Sequence, residues 1–184
     1  LSIHDLVGWM IEACEGLAEA HAHGIVHRDV KPDNICIVAH RDVHRIAKLL
    51  DFGISKQLLT GPDDDLARTQ ELVGTPLYMS PEQVRLSREL DHRTDIWSLG
   101  AVFYEALTGR LPFTGEGITD LCARILEDVV VSPSTLRPFV TPELDRIVLR
   151  CLEKDPNRRY PSAAELAADL LAFAHPRHHA QVER

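Results

Sequence analysis

Hydrophobic residues recur every three or four positions near the start of the chain, a spacing typical of one face of an α-helix. The pattern covers residues 6–21. Ser2, followed three positions later by Asp5, predicts a capped helix start, and Gly24 predicts the end. The chain therefore opens with one long amphipathic helix.

After this helix the apolar stretches become shorter. Residues 35–38 and 46–50 are apolar and β-prone, with a polar stretch between them, which predicts a small hairpin preceded by a turn at 31–34. Periodicity is lost from residue 51 to about residue 82. A connection this long exceeds the usual loop length several-fold, and such loops commonly carry function.

Helical spacing returns after this loop. Residues 95–107 are apolar nearly all round, which predicts a buried central helix. Three further helices are predicted at 118–126, 141–152 and 162–173. The pattern therefore indicates a mainly α fold of the α+β class, a helical bundle that carries one small β-hairpin.

The net charge of the chain excludes some classes of function. The 184 residues contain 20 lysine and arginine residues against 28 aspartate and glutamate residues, a net charge of −8. A chain this acidic is unsuited to bind nucleic acid or anionic lipid. No apolar run approaches the roughly 20 residues of a membrane-spanning helix, and no export signal is seen, so we expect a cytoplasmic protein.

The four cysteines are widely spaced and form no C-x-x-C pair. A zinc site is therefore not predicted, and reduced, mostly buried thiols are expected. Three histidines, at 21, 23 and 27, lie close together but have no matching carboxylates downstream at ligand spacing.

Polar residues at the two ends of the hairpin indicate chemistry. Asn34 precedes the first strand and Asp51 follows the second, so the hairpin is expected to bring them together. Amide and carboxylate oxygens are ligands that suit Mg²⁺, which takes further ligands from substrate phosphates. Asp29 would accept a proton from an attacking hydroxyl, and Lys31 would face the transferring phosphate.

Four stretches together resemble one family. Residues 27–34 read HRDVKPDN, 51–53 read DFG, 80–82 read SPE and 95–100 read DIWSLG. In this order and spacing they resemble the large, C-terminal lobe of eukaryotic-type serine/threonine protein kinases, in a bacterial-like form. The resemblance implies a kinase-lobe portion over residues 1–174, with a polar tail at 175–184.

The resemblance implies a role for each residue of this cluster. Asp29 would orient and deprotonate a serine or threonine hydroxyl of a protein substrate, while Lys31 would contact the transferred phosphate of ATP. Asn34 and Asp51 would hold Mg²⁺. Cys36 would lie beside the adenine ring, where the family more often has leucine.

It also implies supporting residues. Thr75 would hydrogen-bond near Asp29 and help to present the acceptor hydroxyl. Glu82 would form a buried ion pair with Arg159, and Asp95 would hold the backbone of the catalytic loop, which His27 also supports.

Regulation is the last implication of the resemblance. Thr69 lies at the usual distance before Thr75 for an activating phosphorylation, and Arg28 would capture that phosphate through its guanidinium fork. Thr60 is a second candidate for the modified position.

Alternatives stand beside these roles. Asn34 and Asp51 could be ordinary turn residues, and Asp95 could be a simple helix N-cap. No Gly-x-Gly-x-x-Gly phosphate loop is found in the 184 residues, so the small N-terminal lobe of a kinase is expected to be absent from the chain. A non-catalytic docking or decoy lobe is therefore the rival hypothesis to an enzyme.

Overall fold

The computed structural model describes residues 2–40, 44–52, 76–87 and 90–175. Within these ranges the chain forms seven α-helices, three single-turn 3₁₀ helices and one two-stranded antiparallel sheet. The helices and strands, in chain order, are α1 Ile3–Ala22, β1 Ile35–His40, β2 His44–Leu49, α2 Pro81–Val84, α3 Arg93–Thr108, α4 Ile118–Glu127, α5 Pro133–Leu136, α6 Pro142–Cys151 and α7 Ala163–Leu170. The expected helical fold with a small hairpin is confirmed.

Helix α1 begins where its local sequence predicts. The Ser2 side-chain oxygen accepts a hydrogen bond from the backbone N–H of Asp5 at 3.1 Å and so satisfies one of the unpaired donors of the first turn. The apolar stripe of the helix is buried, with Val7, Ile11 and Leu17 fully inaccessible. This stripe packs on α7, α3 and strand β2, so α1 joins the hairpin to the bundle.

The hairpin is fastened to α1 through its second strand. Ile35 lies opposite Leu49 in the register of the sheet. The free edge of β2 is covered because the Glu12 carboxylate accepts a hydrogen bond from Ala47 N at 2.6 Å and Trp9 Nε1 donates one to Arg45 O at 3.3 Å. Side chains of α1 thereby replace a third strand, which prevents this edge from pairing with another chain.

Helix α3 is the centre of the bundle. It is buried on almost every side, as its continuous apolar sequence predicts, and packs against α1, α5 and α6. The Trp97 ring stacks on Phe113 with 5.9 Å between ring centroids. The helix ends at Gly109, whose φ of 72° lies in the left-handed region that favours glycine.

Several element boundaries differ from the sequence predictions. The strands are longer toward their turn than predicted, and the last predicted helix finishes as a 3₁₀ turn, Leu171–Phe173. The predicted long loop contains the start of α2, and α5 was not predicted at all. Both helices have four residues, too few to produce a hydrophobic period, and each begins with proline at its first position.

No helix within the described ranges combines the length and the apolar character needed to cross a bilayer. All four cysteines are free thiols. Cys14 and Cys151 are completely buried, and burial raises the pKa of the Cys151 thiol to about 12.

The crossing of α3 and α6 depends on Gly100. A Cβ atom at this position would lie 2.4 Å from the Cys151 Cβ atom, which is a severe overlap in rigidly packed helices. We expect Gly100→Ala to lower the free energy of unfolding by about 1–3 kcal/mol, measured by urea denaturation.

Gly16→Ala is the matched control. Gly16 also lies inside a helix, but a Cβ there would meet only the Leu49 Cδ1 atom at 3.5 Å. The control variant should gain roughly 0.5–1 kcal/mol from the better helix propensity of alanine. Equal changes in the two variants would contradict the proposed close contact.

Candidate active site

The loop after α1 is held by a buried carboxylate from the first turn of α3. Asp95, which is fully inaccessible, accepts hydrogen bonds from His27 N at 2.8 Å and from Arg28 N at 2.7 Å. Arg28 has a φ of 64°, a left-handed conformation that is strained for a residue with a side chain. Two charge-assisted hydrogen bonds therefore hold a backbone turn that is locally unfavourable.

His21 gives Asp95 a third partner. Its Nε2 atom donates to Asp95 Oδ2 at 2.8 Å, from the last turn of α1. In the sequence, His21 is one of three closely spaced histidines for which no role is predicted. The two residues are separated by 74 positions, so no local spacing in the sequence could have revealed this contact.

His27 connects this loop to the segment after β2. It is completely buried, donates from Nε2 to Leu50 O at 3.0 Å and accepts from Asp29 N through Nδ1 at 3.3 Å. Its ring also contacts Phe52, with 4.8 Å between centroids. The His27 side chain thereby connects the backbone at Asp29 to the backbone just before Asp51.

Three polar side chains converge beside this loop. Lys31 Nζ lies 2.8 Å from Asp29 Oδ2, and Asn34 Nδ2 donates to the same oxygen at 3.2 Å. Asn34 Nδ2 also donates to the Asp29 backbone carbonyl at 2.8 Å. The Asp29 carboxylate is thus held in one orientation by a cation and an amide, while about 30% of its side chain is open to solvent.

The base of the hairpin brings Asp51 toward Asn34. Leu50 N donates to Asn34 O at 2.9 Å, which fixes the residue before Asp51 against the start of β1. Asp51 is exposed and has a φ of 52°, also left-handed. Because the amide nitrogen of Asn34 bonds to Asp29, its amide oxygen remains for another ligand, and the donor set suits a hard cation.

Cys36 lies on β1 opposite Lys48 and is half-buried. Its neighbour Ile37 is exposed to 36%. Because successive strand residues face opposite sides of a sheet, Cys36 shares its face with Lys48 and not with Ile37.

The segment that ends the long loop is fixed to α3. Ser80 caps α2, and its hydroxyl also contacts the Thr94 hydroxyl at 2.5 Å. Tyr78 donates its hydroxyl hydrogen to Glu105 at 2.6 Å, while its carbonyl accepts from Ser98. Burial and the bond to Glu105 raise the pKa of Tyr78 well above its ordinary value.

Glu82, also in this segment, pairs with Arg159. The Nη1 and Nη2 atoms of Arg159 lie 2.7 and 2.8 Å from the two carboxylate oxygens of Glu82. The Arg159 side chain is fully buried and also donates to the carbonyls of Arg93, Glu153 and Lys154. A bidentate pair with this many further bonds is a strong tether.

The sequence profile described as "Protein kinase domain" matches residues 1–171. The chain belongs to the protein kinase family. It is 44% identical over 161 residues to the serine/threonine-protein kinase PknB of Mycolicibacterium smegmatis, covering 87% of this chain and 25% of that protein. It is 43% identical over 162 residues to the serine/threonine-protein kinase Pkn1 of Myxococcus xanthus, covering 86% of this chain and 22% of that one. The chain thus spans about a quarter of the length of these relatives.

The family resemblance located most of the residues described above. The structure brings together Asp29, Lys31 and Asn34, and the expected contacts of Asp95 with the backbone of the loop after α1 and of Glu82 with Arg159 are present. The alternative view of Asp95 as an N-cap is wrong. Residue 92 holds the cap position of α3, and Asp95 lies inside the first turn.

Several sequence predictions fall outside the described residues. Thr69 and Thr75 are among them, together with Gly53, the second threonine candidate Thr60 and the acidic run 63–65. Most of the tail 175–184 lies outside as well.

The pair between Glu82 and Arg159 yields a stability prediction. We expect Arg159→Met to lower the free energy of unfolding by about 3–5 kcal/mol, because it leaves a largely buried carboxylate without its cation. The double variant Glu82→Leu with Arg159→Met should recover much of this loss, since it removes both charges. Urea denaturation measures both.

Arg124→Ala is the control for arginine loss in general. Arg124 pairs with Asp120 on the exposed face of α4, where solvent screens the interaction, and its removal should barely change stability. A loss in this variant comparable to that in Arg159→Met would contradict the buried-tether interpretation.

Proposed function

We propose that this chain forms the catalytic lobe of a serine/threonine protein kinase, which transfers the γ-phosphate of ATP to serine or threonine hydroxyls of proteins. The observation that carries the proposal is the Asp29 carboxylate held by Lys31 at 2.8 Å and by Asn34 at 3.2 Å. The names of the relatives, all serine/threonine-protein kinases, support the same activity. Because ATP is the proposed donor, we place this lobe in the cytoplasm.

Asp29 is the proposed acceptor of the substrate's hydroxyl proton. Its carboxylate is partly exposed, so an acceptor hydroxyl can reach it, and the contacts from Lys31 and Asn34 restrict its orientation. A general base of this kind acts mainly by position, because it must lie within hydrogen-bonding distance of the proton that it removes.

Lys31 serves two purposes in this scheme. In the structure its ammonium group lies on Asp29, and the same charge can stabilise the phosphate as it moves toward the acceptor oxygen. In the same scheme, Thr75 would help to present the acceptor hydroxyl.

Asn34 and Asp51 are the proposed metal-binding residues. When bound there, Mg²⁺ would neutralise charge on the phosphate oxygens of ATP. Asn34 contributes its amide oxygen, since its nitrogen is held by Asp29, and Asp51 contributes an exposed carboxylate at the base of the hairpin. Cys36 would form part of the adenine-binding surface.

The phosphate clamp is the remaining part of the proposal. Kinases cover the phosphates with a glycine-rich loop and bind them with a strand lysine. The 184 residues contain no Gly-x-Gly-x-x-Gly run and no lysine in a V-A-I-K-type strand motif. We propose that activity requires a small lobe from outside this sequence, so the experiments below use the product of the complete gene.

Substitutions of Asp29 and of Asp51 should affect nucleotide binding differently. Asp29→Asn should lower kcat roughly 100- to 10,000-fold, because it removes the base, while Mg²⁺-dependent ATP binding is retained. Asp51→Asn should weaken that binding as well, because a metal ligand is lost. Steady-state phosphorylation of a peptide and calorimetric titration with a non-hydrolysable ATP analogue measure the two effects.

A parallel loss of nucleotide binding in both variants would contradict this assignment. A wild-type protein that transfers no phosphate would instead favour a non-catalytic docking lobe.

Regulation by phosphorylation of Thr69 is a separate proposal. The Nε atom of Arg28 is buried and has no hydrogen-bond partner in the described part of the chain, so this guanidinium can take an anionic ligand. A phosphate on Thr69 would add roughly −1.5 to −2 charges that match it. We expect Thr69→Ala to lower kcat, and mass spectrometry of the ATP-incubated protein to find Thr69 modified.

Thr60→Ala is the matched control, since it removes the second candidate threonine in the same segment. Full activity of Thr69→Ala, or a highly active wild type without phosphate on Thr69, would disprove this regulatory role.

A further inference from the structure

The side-chain amide of Gln83 bridges the end of the long loop and the catalytic loop. Its Oε1 atom accepts a hydrogen bond from Ser80 N at 3.0 Å, which completes the capping box of α2. Its Nε2 atom donates to the carbonyl of Arg28 at 2.8 Å, across 55 positions of sequence. One partner is an N–H donor and the other a carbonyl acceptor, so the two contacts fix the orientation of the amide.

The carbonyl that Gln83 holds belongs to the peptide group that leads into Asp29. The backbone N–H of Arg28 donates to Asp95 at 2.7 Å, and its carbonyl accepts from Gln83. Both backbone polar groups of this left-handed residue are therefore fixed by distant side chains. The N–H of the same peptide group, which belongs to Asp29, donates to His27 Nδ1 at 3.3 Å. The peptide plane between Arg28 and Asp29 is therefore held at its oxygen and at its nitrogen.

We propose that Gln83 is a positioning residue for Asp29, an inference that rests on the proposed kinase function. By holding the Arg28 carbonyl it sets the direction in which the Asp29 side chain leaves the backbone. Misplacement of a reacting group by a fraction of an ångström to an ångström lowers the rate strongly, while substrate binding is little affected.

The position of Gln83 is itself well defined. The preceding residue, Glu82, is anchored to the buried Arg159, and this pair holds α2 independently of the Ser80 hydroxyl. A change in the loop before Ser80 that moved α2 would consequently move the Arg28 carbonyl. Gln83 thus transmits the position of the loop's end to the proposed base.

The chemistry of the two bonds provides a sharp experiment. In Gln83→Glu the carboxylate still accepts from Ser80 N, but it cannot donate to the Arg28 carbonyl. In Ser80→Ala the hydroxyl half of the capping box is lost, while the bond from Gln83 to Arg28 can persist. The first variant removes the positioning bond. The second removes the cap and the contact of the Ser80 hydroxyl with Thr94, while the pair of Glu82 with Arg159 still holds α2.

We expect the two variants, made in the complete gene product, to affect different quantities. Gln83→Glu should lower kcat roughly 10- to 100-fold, with little change in the KM for ATP or the KM for the peptide substrate. Ser80→Ala should lower the melting temperature but keep kcat. Hydrogen exchange at the amides of residues 27–30 should be faster in Gln83→Glu than in Ser80→Ala, which reports the loosened backbone without any need for activity.

Three results would overturn the inference: wild-type kcat in Gln83→Glu, an equal fall of kcat in both variants, or unchanged exchange at residues 27–30 in Gln83→Glu. These are distinct from failure of the proposed function, which would show as absence of phosphate transfer in the wild type.

Discussion

The buried carboxylate of Asp95 is the interaction on which the proposed active site depends. Arg28 adopts a left-handed backbone conformation, which costs about 1–3 kcal/mol for a residue with a side chain. Asp95 offsets this cost by accepting two backbone hydrogen bonds from the same turn, and hydrogen bonds to a charged group contribute about 1.5–3 kcal/mol each. A desolvated carboxylate would itself be unfavourable, and the third bond, from His21, helps to compensate its burial.

Helix α3 is therefore more than the centre of the hydrophobic core. Its first turns hold the proposed catalytic loop through Asp95 and the end of the long loop through Thr94 and Ser98. They also hold the late helices, because the carbonyl of Arg93 accepts a hydrogen bond from Arg159. Since α3 is buried on nearly all sides, these polar contacts share one rigid support. The segments that carry the proposed chemistry are loops, and their positions derive from this helix.

Local elements followed closely from the sequence because they depend on neighbours a few positions apart. The cap at Ser2 and the stop at Gly109 are set by backbone geometry within a single turn, and the period of buried residues marks α1 and α3. The short helices α2 and α5 escaped prediction because four residues give no period. The candidate residues Asp29, Asn34 and Asp51 were found by the order and spacing of their motifs.

Which side chains meet across the chain was decided by the tertiary structure. The contacts of His21 with Asp95 and of Gln83 with Arg28 span 74 and 55 positions. Nothing in the local sequence distinguishes these residues from an ordinary helix histidine and an ordinary capping glutamine. The sequence alone determined the longer helices, the hairpin and the kind of chemistry that the loop residues can perform. Only the packing of α1 and α2 around α3 decided how those residues are oriented, because burial restricts each polar group to the few partners that the fold brings within hydrogen-bonding distance.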